Sequence, residues 1–117
     1  MMSEHSKGGA TGDPALLIMT SLAEGPKHGY ALIQDIAAFA GVRLGPGTLY
    51  GAISRLEERG LIEALEAEGR RRPYRLSAAG QKTLAALLAE WNSIARIGLA
   101  RLDARSAAPP GSRAGFA

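Results

Sequence analysis

Four arginines fall close together in this chain, at Arg70, Arg71, Arg72 and Arg75, and Thr48, Tyr50, Ser54 and Arg55 precede them. These residue types suit a polyanion better than a reaction. Guanidinium groups form forked hydrogen bonds to phosphate oxygens, and hydroxyls and further cations add donors that hold a backbone in register. The charge distribution agrees. Residues 42–75 carry seven arginines against five glutamates, whereas residues 1–41 carry two lysines against four acids, within a net charge of only +3. A charge run is otherwise an ordinary solvated turn, so the elements that carry it decide the reading.

Other chemistries are poorly supplied. There is no cysteine, so neither a disulfide framework nor a thiolate metal site is available. His5 and His28 have no partner at ligand spacing. Glu57 and Glu58 are adjacent on an expected helix and diverge, while Glu66 and Glu68 flank a solvated turn. No nucleophile–base pair emerges, so neither an enzyme nor a bound metal or cofactor is expected. No apolar run approaches the ~20 residues of a membrane span. The opening residues, MMSEHSKGGATGD, lack the charged and apolar regions of a signal peptide. A cytoplasmic protein is expected.

The positioning elements can be read from caps and periodicity. Asp13-Pro14 starts a largely apolar helix that ends near Gly25-Pro26. A second helix begins at His28-Gly29-Tyr30, repeats Leu32, Ile33, Ile36 and Phe39 at helical spacing, and stops at Gly41. Pro46 opens a third, with Leu49, Ile53 and Leu56 inward, Thr48, Gly51, Ser54, Arg55 and Glu58 on the opposite face, and Gly60 ending it. Residues 61–66 and 73–77 read as two strands around a basic turn, with Pro73 first in its strand or on an edge. At least one of Tyr74 and Leu76 should pack inward, and Arg75 can pair with Glu63 or Glu66 across the hairpin. Ser77 caps a last helix of ~40 Å whose stripe runs from Leu84 to Leu102.

A helix followed by a β-hairpin with a basic tip is the order of a winged helix-turn-helix. The expected fold is therefore mainly α with a small β-hairpin. It divides into a disordered tail over 1–12, a winged helix-turn-helix over 13–76, a dimerisation helix over 77–105 and a second disordered tail over 106–117. The dimerisation role follows from length: half of the last helix outruns the small domain, and the simplest cover is the same helix of a second copy.

These segments resemble the PadR family of bacterial transcription regulators over roughly residues 14–103. His28-Gly29-Tyr30-Ala31-Leu32-Ile33 is similar to the family's second helix. Gly45-Pro46-Gly47-Thr48-Leu49-Tyr50, with Arg55-Leu56-Glu57, is similar to its recognition helix, and Gly60-Leu61-Ile62 with residues 69–80 to its wing. Gly51 stands where a proline is usual, and Pro73 where lysine or tyrosine is usual. The single C-terminal helix looks like the short subfamily. The resemblance implies a homodimeric repressor on a palindromic operator of double-stranded DNA, near its own or a neighbouring gene, and often released by a small aromatic or drug-like ligand.

DNA contacts are accordingly expected from Thr48, Tyr50, Ser54 and Arg55 on the third helix and from Arg70, Arg71 and Arg72 at the wing tip. Tyr50 can instead pack on the core, and Arg55 can pair with Glu57 or Glu58. A planar effector would stack on Trp91, the sole tryptophan, because a tryptophan near this point recurs in ligand-sensing relatives. Leu16, Met19, Leu88, Ile94 and Ala95 are candidate lining, although Trp91 also reads as a dimer anchor and Met19 as core filler. The rival function is a winged helix that serves only protein association.

Overall fold

The computed structural model describes residues 12–107, so the N-terminal tail, apart from Gly12, lies outside the described residues, as does the C-terminal tail beyond Ala107. In chain order the elements are α1 (Pro14–Leu22), β1 (Lys27–His28), α2 (Gly29–Ala40), α3 (Pro46–Glu58), β2 (Ile62–Ala64), β3 (Pro73–Leu76) and α4 (Ala78–Ala107). No helix among the described residues is long and apolar enough to cross a membrane.

Local chemistry accounts for the helix ends. Asp13 accepts from the Ala15 N–H at 3.2 Å, and Pro14 supplies the preset φ of the first helical residue. Gly41 ends α2 in the left-handed region at φ +68°, and its N–H returns to the Ala37 carbonyl at 3.0 Å. Ser77 starts α4 by accepting from the Gly80 N–H at 3.0 Å while donating to the Gly60 carbonyl at 2.6 Å. One hydroxyl thus caps a helix and ties it to the turn after α3.

The core is built where the three short helices meet the sheet. Ile18 and Leu22 of α1, Leu32 and Ile36 of α2, and Leu49, Ile53 and Leu56 of α3 are all buried. Their i, i+3/i+4 spacing turns one apolar stripe of each helix inward, and each buried aliphatic side chain contributes about 1.5–3 kcal/mol. Phe39 keeps the spacing of the α2 stripe, yet it lies in the last turn and is exposed.

The sheet has three strands, not two. Its order is β1-β3-β2, antiparallel throughout, so β3 is central. Ile62 pairs with Leu76 and Ala64 with Tyr74 on one side, while Lys27 pairs with Tyr74 and His28 with Pro73 on the other. Pro73 does open its strand, and its carbonyl accepts from the Leu65 N–H at 2.8 Å. Tyr74 and Leu76 are both buried because residues two apart share a face; Arg75 between them is exposed and bonds Glu63 at 2.9 Å.

A polar cluster that the sequence did not announce holds β1 in place. Ser21, almost fully buried, donates to Asp35 at 2.6 Å. The Lys27 ammonium bonds the Ser21 carbonyl and lies 2.7 Å from Glu24 and 3.6 Å from Asp35. Lys27 is therefore committed to the fold and is not a free surface cation. Asp35→Ala removes the acceptor shared by Ser21 and Lys27, and should lower the unfolding free energy in urea by about 2 kcal/mol. An unchanged midpoint would mean that water replaces Asp35 at no cost.

Beyond Leu84 the chain forms a second compact unit. Here α4 shows a row of exposed apolar side chains, with Trp91 41%, Ile94 62% and Leu99 67% accessible.

Candidate nucleic-acid interface

The turn that joins β2 to β3 sets the direction of each wing arginine. Glu68 and Arg71 exchange backbone hydrogen bonds at 2.7 and 3.1 Å, enclosing Gly69 and Arg70 as the two central residues. Gly69 has φ +66° and Arg70 does not, the pattern of a type II′ hairpin turn, which demands glycine in the first place. Arg70 consequently sits at the tip.

Its neighbours point elsewhere. Arg72 donates to the Leu65 carbonyl at 2.8 Å, bracing the hairpin across its base. The Arg71 Nη1 comes within 3.4 Å of His28 Nε2. None of the cations expected at the tip, Arg70, Arg71 and Arg72, has a carboxylate partner among the described residues, as is also true of Arg55.

Helix α3 presents the second part of the surface. Thr48, Ser54 and Arg55 are exposed, while Leu49, Ala52, Ile53 and Leu56 are buried behind them. Pro46 occupies the first helical position, no side chain caps the helix, and the first intrahelical bond is Leu49 N–H to Gly45 at 2.9 Å. The N–H groups of Gly47 and Thr48 are thus unpartnered within the described residues, an end that favours anions.

Tyr50 stands apart from this row. It is 48% exposed, but its hydroxyl lies against Gly29, where even a single added Cβ would collide with the phenol ring. This contact draws Tyr50 toward the start of α2 and opens a cleft of about 340 Å³ between α2, α3 and the wing. Tyr30, Tyr50 and Tyr74 line it together with His28, and the wing arginines form one wall. Burial, reinforced by the charge of Glu57 and by Tyr50, pushes the Tyr74 hydroxyl above its ordinary pKa, so it is a proton donor at neutral pH.

Spacing alone did not single out His28, Tyr30 or Tyr74 as surface chemistry. His28 had no visible partner in sequence; folded, its Nδ1 caps α2 by accepting from the Ala31 N–H at 3.4 Å. The one available signal was the order His-Gly-Tyr at a helix start, where glycine admits a close neighbour.

The residues considered for an effector are divided between the chain's two units. Leu16 is half-buried and Met19 lies in the core of the first, so Met19 fills space there. Leu88, Trp91, Ile94 and Ala95 are exposed on α4 in the second.

Residues 18–86 match the sequence profile of the transcriptional regulator PadR-like family. Over 74 residues the chain is 49% identical to a transposon protein of Streptomyces fradiae; the match takes in 63% of this chain and 21% of that protein, so the chain spans about a fifth of that relative. It is 40% identical over 72 residues to a transcriptional regulator of Mycobacterium tuberculosis, covering 59% of this chain and 66% of that one. In three dimensions it is similar to a PadR family transcriptional regulator from Eggerthella lenta, with a TM-score of 0.68, 29% identity, and 86% and 88% of the two chains superposed.

Proposed function

Because this chain belongs to the PadR-like family of transcriptional regulators, we propose that it acts as a homodimeric repressor that binds a palindromic operator near its own or a neighbouring gene. The observation that carries this reading is the pairing of an exposed Thr48–Ser54–Arg55 face with three carboxylate-free arginines, Arg70, Arg71 and Arg72, on a neighbouring wing. In the proposed complex α3 enters the major groove with its uncapped first turn toward phosphate. Thr48 and Tyr50 donate to the backbone, and Ser54 and Arg55 reach base edges or phosphates. Arg70 to Arg72 approach the flanking backbone or minor groove, where negative potential is strongest.

Two copies would pair through the exposed apolar row of α4, over residues 77–105. The two α3 helices would then enter successive major grooves about 34 Å apart. A planar effector stacked on Trp91 and bordered by Leu88, Ile94 and Ala95 would release the operator by favouring a dimer with the wrong helix spacing. The effect requires only that the ligand bind the two dimer states unequally.

The direct test is a salt titration of binding to duplex DNA from upstream of the protein's own gene, beside a random-sequence pool. Affinity is expected to fall with a log–log slope of about −0.9 for each phosphate contacted. A folded dimer that binds neither DNA at low salt would refute the proposal and leave a protein-association module. Trp91 fluorescence, followed in the same complex during addition of planar compounds, reports on the effector.

A further inference from the structure

We propose that the cleft between α2, α3 and the wing is a dedicated seat for one phosphodiester of the DNA backbone, gripped by His28, Tyr30, Tyr74 and Arg71. The inference rests on the DNA-binding reading above and adds a specific site to it.

The imidazole of His28 meets a neighbour at each of its two nitrogens. Nδ1 accepts from the Ala31 N–H, so in the neutral ring the proton is on Nε2. Nε2 in turn lies 3.4 Å from Arg71 Nη1, which can only donate. In that tautomer two donors face one another across the cleft. The other tautomer does not remove the conflict: it places Nδ1–H against the Ala31 N–H and uncaps α2. An acceptor seated between Nε2–H and the guanidinium satisfies both groups while keeping the cap, and an anionic oxygen does so most strongly.

Two tyrosines add donors to the same space. The Tyr30 oxygen accepts from the Gln34 side chain at 3.1 Å, leaving its own proton to give. Tyr74 is only 8% exposed, yet its hydroxyl has no protein partner among the described residues and borders the cleft. The ring is buried while its hydroxyl reaches the open cleft, so its O–H is free to donate to whatever occupies that space. No carboxylate lines the cleft. Its lining groups thus present donors, although the charge of Glu57 reaches Tyr74 from behind them.

Position identifies the source of that anion. A duplex with α3 in its major groove and the wing at the adjacent minor groove must pass one backbone strand between them. The cleft occupies that interval, with Tyr50 of α3 on one side and Arg71 of the wing on the other. Phosphate contacts of this sort set register without reading sequence.

The test uses two substitutions that preserve the fold. Tyr74→Phe keeps the buried ring and deletes only the hydroxyl, while His28→Asn keeps a good helix-capping side chain and removes the Nε2 donor. Thermal unfolding verifies that both remain native. Each is expected to weaken binding of the dimer to the operator duplex about a hundredfold, roughly tenfold for the one charged hydrogen bond lost at each half-site. Duplexes carrying one neutral methylphosphonate at successive positions should show a single phosphate per half-site whose neutralisation weakens wild type. The same change should have little further effect on the doubly substituted protein.

Equal binding by wild type and both variants, with identical methylphosphonate profiles, overturns the phosphate seat while leaving the regulator reading intact. Absence of duplex binding by wild type overturns both. Inorganic phosphate that displaces the duplex at constant ionic strength, in wild type but not in the double variant, would reassign the cleft to a free anion.

Discussion

Reversing the charge of Arg70 and Arg71 together should weaken operator binding by about a thousandfold or more near physiological salt. Releasing counterions at one phosphate contributes roughly 1 kcal/mol at ~0.15 M salt, from a slope of about 0.9 per contact. In the proposed dimer the two substitutions act twice, removing four contacts and about 4 kcal/mol, and each ~1.4 kcal/mol is tenfold in affinity. Glutamate at these positions adds repulsion from the duplex. Arg70 and Arg71 are selected because their side chains, unlike that of Arg72, are not bonded to the hairpin backbone, and Arg70 occupies the turn tip. Arg75→Ala is the matched control. Its guanidinium is already paired with Glu63, so affinity should change by less than about threefold. Filter binding or fluorescence anisotropy at several salt concentrations measures both. Undiminished affinity in a folded Arg70→Glu/Arg71→Glu protein would remove the wing from the interface.

Gly80→Ala should destabilise the protein by about 3 kcal/mol, contrary to what helix propensity alone predicts. In an unconstrained helix, alanine is better than glycine by about 1 kcal/mol. At Gly80 an added Cβ would drive into the Leu61 carbonyl oxygen and come within 3.0 Å of Leu76 Cδ1. The Leu61 carbonyl cannot retreat freely, since it accepts from the Ser77 N–H at 3.0 Å. The first turn of α4 would have to lift, disturbing the Ser77 hydroxyl that joins Gly60 to the helix start. Overpacking of this kind costs about 1–3 kcal/mol and more when backbone must move. Denaturant unfolding decides the matter by sign: a Gly80→Ala protein more stable than wild type would show that Leu61 and α4 separate easily.

Much of this structure was legible from punctuation. Asp13-Pro14, Gly41, Pro46 and Ser77 mark helix ends because each supplies a capping oxygen, a preset φ or a left-handed residue that a helix end requires. The inward row Leu49, Ile53 and Leu56 follows from helical spacing, and all three are buried. The basic hairpin is equally evident, since Gly69 and the arginines after it make a turn that cannot be core.

What stayed hidden has physical causes. β1 has two residues, too few for any period, and its partner lies on the far side of two helices in sequence. The roles of Lys27 and His28 depend on that pairing, so their isolation in the sequence could not disclose them. The cleft combines Tyr30, Tyr50 and Tyr74 from three elements, and no local pattern unites them. The wing arginines illustrate the reverse limitation. Composition treats Arg70, Arg71 and Arg72 alike, whereas the turn sends one to the tip, one toward His28 and one to the hairpin backbone.

The position of β3 between β1 and β2 also bears on the order in which the working protein can be made. The strand that completes both pairings is synthesised after all three of the short helices. Until residues 73–76 leave the ribosome, β1 has no edge to join, Tyr74 is missing from the core, and the wing does not exist. A nascent chain can collapse α1, α2 and α3 early through their local contacts, since closing short loops costs little entropy. It acquires its basic face only at the final step of assembling the domain. Affinity for a polyanion is thereby coupled to completion of the fold, and chains that stall short of β3 lack the surface needed to occupy an operator.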